Sequence, residues 1–324
     1  MGRVWLLRDA GRRCGSAPPR SGVACFRPPH ATPFDVAAPT PPGRGGGASE
    51  VMLSGMPIER VAALDDARLA DYVHLREPSR RMGLERAAGI FTVEGRLSVE
   101  ALLASRFRVR SILVAEEHVD RMAAALGSDT VVLTLPSAAM TEVTGVHFHR
   151  GVLAVGERGE LPAAADLVAE ASRILVLEAV NDHENIGALF RNAAAFGVDA
   201  VILDPTSADP LYRRATRVSL GHVLHVPFAR VPAPEWPSAL HDLATAGVTT
   251  VGLTPSAASE PLGRLVADAP ERVALVLGAE GPGLTDLALA AVHRRVRIPM
   301  AAGVDSVNVA TAAAIALAAL YGLG

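Results

Sequence analysis

A chain of 324 residues, half of them apolar and 4% aromatic, suggests one or two domains with a sizeable core built from Ala, Val and Leu. Its net charge of −3 argues against a general polyanion coat, and all 31 basic residues are Arg. The missing Lys excludes a Walker phosphate loop, a Schiff-base enzyme and a pyridoxal enzyme, each of which needs the amine.

Residues 1–56 are rich in Gly, Pro, Ala and Arg, with seven Arg beside three acids and little periodicity. Such a tract cannot bury enough apolar surface to order itself and is expected to be disordered. It has the Arg-rich, acid-poor bias of an organellar leader, but its Pro and Gly spoil an amphipathic helix. The other reading is a non-native extension ahead of a true start near Met52 or Met56. Both cysteines, Cys14 and Cys25, lie in this tract. That leaves no disulfide framework, Cys-based metal site or thiol nucleophile in the body, and points to a reducing, cytoplasmic setting.

A small α/β unit is expected over 57–157. "LDDARLADYVHL" and "REPSRRMGLERAAGI" read as helices or helical turns, "FTVEG" as a strand and "RLSVEALLASR" as an amphipathic helix. Strand "VRSILVA", helix "EEHVDRMAAALG", strand "VVLTLP", a helical turn and strand "GVLAVGE" follow. Alternation of this kind predicts a mixed or parallel sheet. "RGELPAAAD" (158–166) is the candidate linker, and the unit carries 12 Arg over 57–156.

The second unit, 166–324, alternates more cleanly. Strand "RILVLEAV" leads to a helix closed by Gly197, strand "DAVILD" to a helix "DPLYRRATRVSLG" closed by Gly221, and then strand "VPFARV". Helix "WPSALHDLATAG", strands "VTTVGLTP" and "RVALVLGAE", helix "TDLALAAVHRRV", strand "RVRIPM" and a final helix complete it. Strands rich in Val, Ile and Leu, with helices stopped by Gly, indicate a parallel sheet buried on both faces.

Open α/β sheets gather ligands at the carboxyl ends of their strands, and three loops there share a character. "NDHENIGALFRNA" holds Asn185, a plausible N-cap, with Gly187 and Arg191 on one helix face. His183 and Glu184 form no metal ligand set, so no metal is expected. "GAEGPGL" bends at Gly278, Gly281 and Gly283 around Glu280. "AAGVDSVNVATAAAIALAAL" (301–320) is too short to span a bilayer and carries no charge after Asp305, so it reads as a buried helix with Ser306 at the cap position and Asn308 just inside. Each loop alone is a capped helix or a tight turn. Together they outline a pocket for a neutral or zwitterionic nucleoside.

"NIGALFRNA", "LVLGAEGPGL" and "IPMAAGVDSVNVATAAAIAL", in that order and spacing over about Ser172 to Leu323, resemble the three motifs of the SpoU, or TrmH-type, RNA ribose 2′-O-methyltransferases of the SPOUT superfamily. "DPLYRRATRVSLGHVLHVPFAR" resembles that family's connecting segment, and the small unit resembles its fused substrate-binding domain. The resemblance implies a C-terminal trefoil knot, for which an Ala-rich helix is slim enough to thread, and a homodimer with the active site at its interface. It implies S-adenosylmethionine held near Leu253, Gly278, Glu280, Gly283, Ile298, Met300, Ser306 and Val307. Arg191, Asn185, Glu280, Ser306 and Asn308 match its catalytic positions. A guanidinium is a donor with no lone pair to accept a proton, so Arg191 suits phosphate binding and alkoxide stabilisation better than general-base work. Arg213, Arg214 and Arg217 would meet RNA phosphates, or else form a solvated basic face.

The implied activity is methylation of an RNA ribose, the fused domain favouring 23S rRNA over tRNA. A Rossmann dehydrogenase fails on the absent GxGxxG after the first strand of the second unit. A non-catalytic or resistance-type rRNA-binding module of the same fold is the alternative, and the intact Arg191, Glu280, Ser306 and Asn308 argue against it.

Overall fold

The computed structural model describes residues 58–123, 130–146, 151–236 and 238–322. The tract over 1–56, expected to be disordered, lies outside them. The first sheet contains β1 (Ile58–Arg60), β2 (Ile90–Glu94), β3 (Val109–Ala115), β4 (Val132–Leu135) and β5 (Val152–Glu157). Its order is β1-β4-β3-β5-β2, with β1, β4 and β3 parallel and β5 antiparallel to both its neighbours. Around it lie α1 (Pro78–Ala88), α2 (Arg96–Leu103), α3 (Val119–Ala123) and α4 (Ser137–Thr144). "LDDARLADYVHL" forms only a 3-10 helix, Ala67–Tyr72, whose buried anchors are Leu69 and Tyr72.

The second region runs α5 (Ala164–Glu170), β6 (Arg173–Leu177), α6 (His183–Ala195), β7 (Ala200–Leu203), α7 (Arg213–Val218), β8 (Phe228–Arg230), α8 (Ala239–Thr245) and β9 (Thr249–Leu253). It continues through β10 (Glu260–Pro261), α9 (Leu262–Asp268), β11 (Val273–Leu277), α10 (Asp286–Ala291), β12 (Arg294–Arg297) and α11 (Val309–Tyr321). The sheet order is β10-β12-β9-β11-β6-β7-β8 and every pairing is parallel. Central strands β6, β7 and β11 are almost wholly buried, as continuous Val/Ile/Leu runs require when helices cover both faces. Gly197 closes the α6 turn and Gly247 the α8 turn, both with positive φ. No helix among the described residues is long and apolar enough to cross a membrane.

Further expectations change. The helix expected over "TDLALAAVHRRV" ends at Ala291, and its last residues belong to strand β12. The helix α5 begins at Ala164, so the segment joining the sheets is 158–163 rather than 158–166. The helix expected to reach Gly221 stops at Val218, because Leu220 and Gly221 both turn to positive φ (53° and 84°). That corner presses on α2: a Cβ at Gly221 would lie 2.4 Å from the Ala101 side chain, so only Gly fits. The last helix is neither fully buried nor 20 residues long. It starts at Val309 after an exposed stretch, 301–308, and leaves Thr311 and Ile315 exposed on one side.

The two sheets share one continuous apolar cluster, in which Phe91, Val93 and Phe107 pack with Val223, Leu224 and Phe228. Phe107 and Phe228 also lie under the Arg106 guanidinium, at 5.0 and 5.8 Å. A charged clasp reinforces the joint. Arg213 donates to the Glu94 carboxylate and, at 3.2 Å, to the Leu75 carbonyl, while Arg217 lies 3.8 Å from the same carboxylate. Residue 157 therefore marks a change of sheet without a break in the core.

Under the first sheet lies an almost solvent-free ion pair. Arg81 (2% exposed) donates to Glu85 (1% exposed) at 2.9 Å and to the Val73 carbonyl at 3.1 Å. Thr92 donates to the same Glu85 oxygen at 2.7 Å. Removing one partner strands a buried charge, whereas replacing both with apolar groups removes the problem. Glu85→Ala is expected to lower stability by about 3–5 kcal/mol, and Arg81→Met with Glu85→Leu by much less, in urea-unfolding midpoints at constant m.

Candidate active site

At the carboxyl ends of β9, β11 and β12 opens a cavity of about 770 Å³. Leu253, Gly278, Glu280, Gly283, Ile298, Met300, Ser306 and Val307 all line it. Thr254, Ser256 and Asp286 line it too. They belong to no motif, and only their place beyond a strand end could have marked them. The bend 278–283 is closed on itself. A Cβ at Gly278 would sit 2.2 Å from the backbone of Gly283, and Gly281 and Gly283 hold φ of 85° and 73°. The Gly283 amide donates to the Ala279 carbonyl at 3.0 Å, which locks Glu280 at the outer edge of the cavity.

Asn308 joins this bend to the helices. Its Oδ1 accepts from the Ala310 and Thr311 amides at 2.9 and 3.2 Å, making Asn308 the N-cap of α11. Its Nδ2 donates to Asn185 Oδ1 at 2.8 Å and to Glu280 Oε1 at 2.7 Å. One carboxamide thus ties the start of α11 to α6 and to the glycine bend. Ser306, expected as the cap, lies two residues upstream in the exposed loop and faces the cavity. Asn185, also expected as a cap, is the third residue of α6. Asp182 is the cap there, accepting from the Glu184 and Asn185 amides at 2.6 and 3.0 Å. With the backbone satisfied by Asp182, the Asn185 side chain is free to meet Asn308.

Arg191 stands apart from this group. It is exposed and does not line the cavity. Among the described residues no carboxylate lies within ion-pair distance of it. Its neighbour is the 3-10 turn His222–Leu224. Burial, then His225, then the Arg191 charge hold the His222 imidazole below its ordinary pKa. The next residue, Asn192, donates to the Ala310 carbonyl at 2.8 Å and ties α6 to α11. One chain therefore brings Asn185, Glu280, Ser306 and Asn308 together and leaves Arg191 outside. The close approach expected at Gly187 is real but faces α7: a Cβ there would lie 2.7 Å from the Ala215 carbonyl and from Val218.

The three arginines expected to meet RNA all have carboxylates in this chain. Arg213 is only 18% exposed and committed to Glu94, which removes it as a free phosphate ligand. Arg214 lies 3.3 Å from Glu184, and Arg217 shares Glu94. Both remain exposed enough to exchange partners.

Truncating the central carboxamide separates its two roles. Asn308→Ala is expected to lose the helix cap, about 1 kcal/mol, together with the bridge to Asn185 and Glu280. Asn308→Ser keeps an acceptor for the cap, brings no charge toward Glu280 and loses the bridge. The difference between their unfolding midpoints isolates the cap.

Comparisons with known proteins agree with this architecture. The profile of the SpoU rRNA Methylase family matches residues 172–318. An uncharacterized tRNA/rRNA methyltransferase of Mycobacterium bovis is 44% identical over 268 residues, covering 81% of this chain and 91% of that protein. The 23S rRNA (guanosine(2553)-2′-O)-methyltransferase RlmP of Bacillus subtilis is 31% identical over 82% of this chain and 100% of its own length. The AdoMet-bound rRNA methyltransferase structure from Sinorhizobium meliloti shares the fold with a TM-score of 0.67 at 23% identity, over 82% of this chain and 97% of that one. The relation extends through both sheets, and the chain belongs to the SpoU rRNA methylase family.

Proposed function

We propose that the protein transfers a methyl group from S-adenosylmethionine to a ribose 2′-hydroxyl of RNA, with 23S rRNA preferred over tRNA, and that it works as a cytoplasmic homodimer. The observation that carries this reading is the Asn185–Asn308–Glu280 junction at the wall of a nucleoside-sized cavity. The named activity of the B. subtilis relative supports the choice of ribose and of 23S rRNA.

The cavity suits the donor. Its lining is apolar side chains, loop backbone and the uncharged polar side chains of Thr254, Ser256, Ser306 and Asn308, and its charged members are the carboxylates Glu280 and Asp286. Carboxylates favour a sulfonium and an amino group, and backbone groups can hold a neutral adenine. S-adenosylmethionine, when bound, supplies an electrophilic methyl. The chain's own part is positioning. Asn308 and Asn185 fix the loop edge where the ribose must lie, and Ser306 faces the same space. Arg191 holds the target phosphate and steadies the negative charge that develops on the 2′-oxygen as its proton leaves to solvent.

Arg191 must reach a cavity that its own chain does not place it beside, and a second copy supplies that reach. Exposed apolar side chains near the site support such a contact: Leu287 is 67% exposed, Ile315 39% and Val307 38%. The alanines of α11 suit a helix threaded through a knot, which belongs to the same reading.

Arg191→Ala is expected to cut methyl transfer by much more than tenfold, about 1.4 kcal/mol, with S-adenosylmethionine affinity near normal by calorimetry. Survival of turnover within tenfold removes Arg191 from the mechanism. Mixing Arg191→Ala and Asn308→Ala chains is expected to regain activity, because a mixed dimer rebuilds one complete site. Mixtures as inactive as their parents would mean that Arg191 acts within its own chain. The substrate class is read by mapping 2′-O-methylation in rRNA and tRNA from a strain lacking the gene; a site lost from tRNA alone overturns the 23S preference.

A further inference from the structure

A second cavity, of about 610 Å³, lies where the first sheet meets the second. Its floor is the carboxyl edge of β6, β7 and β8, reached through Asn181, His183 and the loop after β7. Its other wall comes from the first unit: Met82 and Arg86 of α1, with Leu161 from the joining segment. The 770 Å³ cavity occupies the same edge over β9, β11 and β12. In the sheet order, β6 and β11 are neighbours, so the two cavities sit side by side. Asn185, at the start of α6, follows His183 of this cavity by two residues and accepts from Asn308 at the wall of the other.

The second cavity has the chemistry of a nucleotide site. Arg86 is exposed, with no carboxylate within ion-pair distance among the described residues. The other two arginines in its wall are held in place. Arg158 donates to the Ile90 carbonyl at 2.9 Å and pairs with Asp209 at 2.6 Å. Arg230 donates to the carbonyls of Asp204, Ser207 and Ala208, which shapes the loop after β7. His183 packs against Tyr212 with ring centroids 4.3 Å apart and the rings tilted by 47°, and burial keeps its imidazole below its ordinary pKa, so it is a neutral donor and acceptor at pH 7. Met82 and Leu161 add apolar surface against which a base can lie.

We infer that this cavity binds a nucleotide of the RNA substrate adjoining the one that is methylated, its phosphate on Arg86 and its base against Met82 and Leu161 beside His183. The inference rests on the proposed RNA methyltransferase activity and deepens it. The fused small unit thereby gains a defined role, because α1 completes a site that the catalytic sheet alone leaves half-built. The substrate strand then runs along one sheet edge, with the reacting ribose at the Asn185–Asn308 junction.

The test uses full-length protein, a fluorescein-labelled single-stranded RNA oligonucleotide for affinity and 23S rRNA transcribed in vitro for turnover. Arg86→Ala and Leu161→Glu are both surface changes, so the fold is retained. Each is expected to weaken RNA binding about fivefold to tenfold, while calorimetric affinity for S-adenosylmethionine stays at the wild-type value. Arg86→Ala also lowers the slope of log K against log salt by roughly one, the signature of one lost phosphate contact. At saturating RNA the turnover of both variants approaches wild type, so the loss lies in KM. If the wild type methylates RNA and both variants bind it within twofold of wild type with an unchanged salt slope, the cavity does not hold substrate and this inference falls alone. If the wild type does not methylate RNA, the proposed function falls and the inference falls with it.

Discussion

The carboxyl edge of the large sheet depends on one side chain. Asn308 is the cap of α11, the partner of Asn185 on α6 and the partner of Glu280 in the glycine bend. A carboxamide can do all three because its oxygen accepts from two backbone amides while its two N–H groups point elsewhere. Ser or Asp at this position would cap the helix equally well, but neither could also donate two hydrogen bonds. Capping alone therefore does not explain the residue. The geometry that holds the three loops together does.

Close approach is the second constraint, and it is met by small residues. Gly278 lets the bend fold back onto Gly283, Gly187 lets α6 lie against α7, and Gly221 lets the corner after α7 press on α2. Each is a place where one methyl group would collide with backbone or a neighbouring Cβ. On α11, Ala313 and Ala316 are fully buried, so the helix packs on α6 with little side chain between the axes. The apparent blandness of the C-terminal run is thus a packing requirement. What it does not provide is burial on every side, since Thr311 and Ile315 face outward.

The order of strands and helices was legible in the sequence because parallel strands buried on both faces must be continuous apolar runs. The site loops were legible for a related reason: in such sheets they can only follow strand ends. Less legible was which polar residue does what. Asp182 and Asn185, or Ser306 and Asn308, are near-equal as caps by type, and only the angle at which the chain enters the helix decides between them. The role of Arg213 was hidden because its partner, Glu94, lies 119 residues away on another sheet. The elements α5, β10 and α9 are seven residues or fewer, too short for a periodic signal.

Charge was the most misleading quantity, and the structure shows why. A net charge of −3 suggests little attraction for RNA, and an Arg-rich helix suggests the opposite. Neither total counts the pairs already made within the chain. Arg158, Arg213, Arg214, Arg217 and Arg294 each face a carboxylate within 4 Å, so their fields largely cancel outside the protein. Arg86 and Arg191 have no such partner among the described residues, and both stand at the carboxyl edge or on the helix that leads to it. Affinity for a polyanion is set by which guanidiniums are left uncompensated and by where the fold puts them. A chain that is acidic overall can therefore keep single uncompensated guanidiniums that its composition does not reveal.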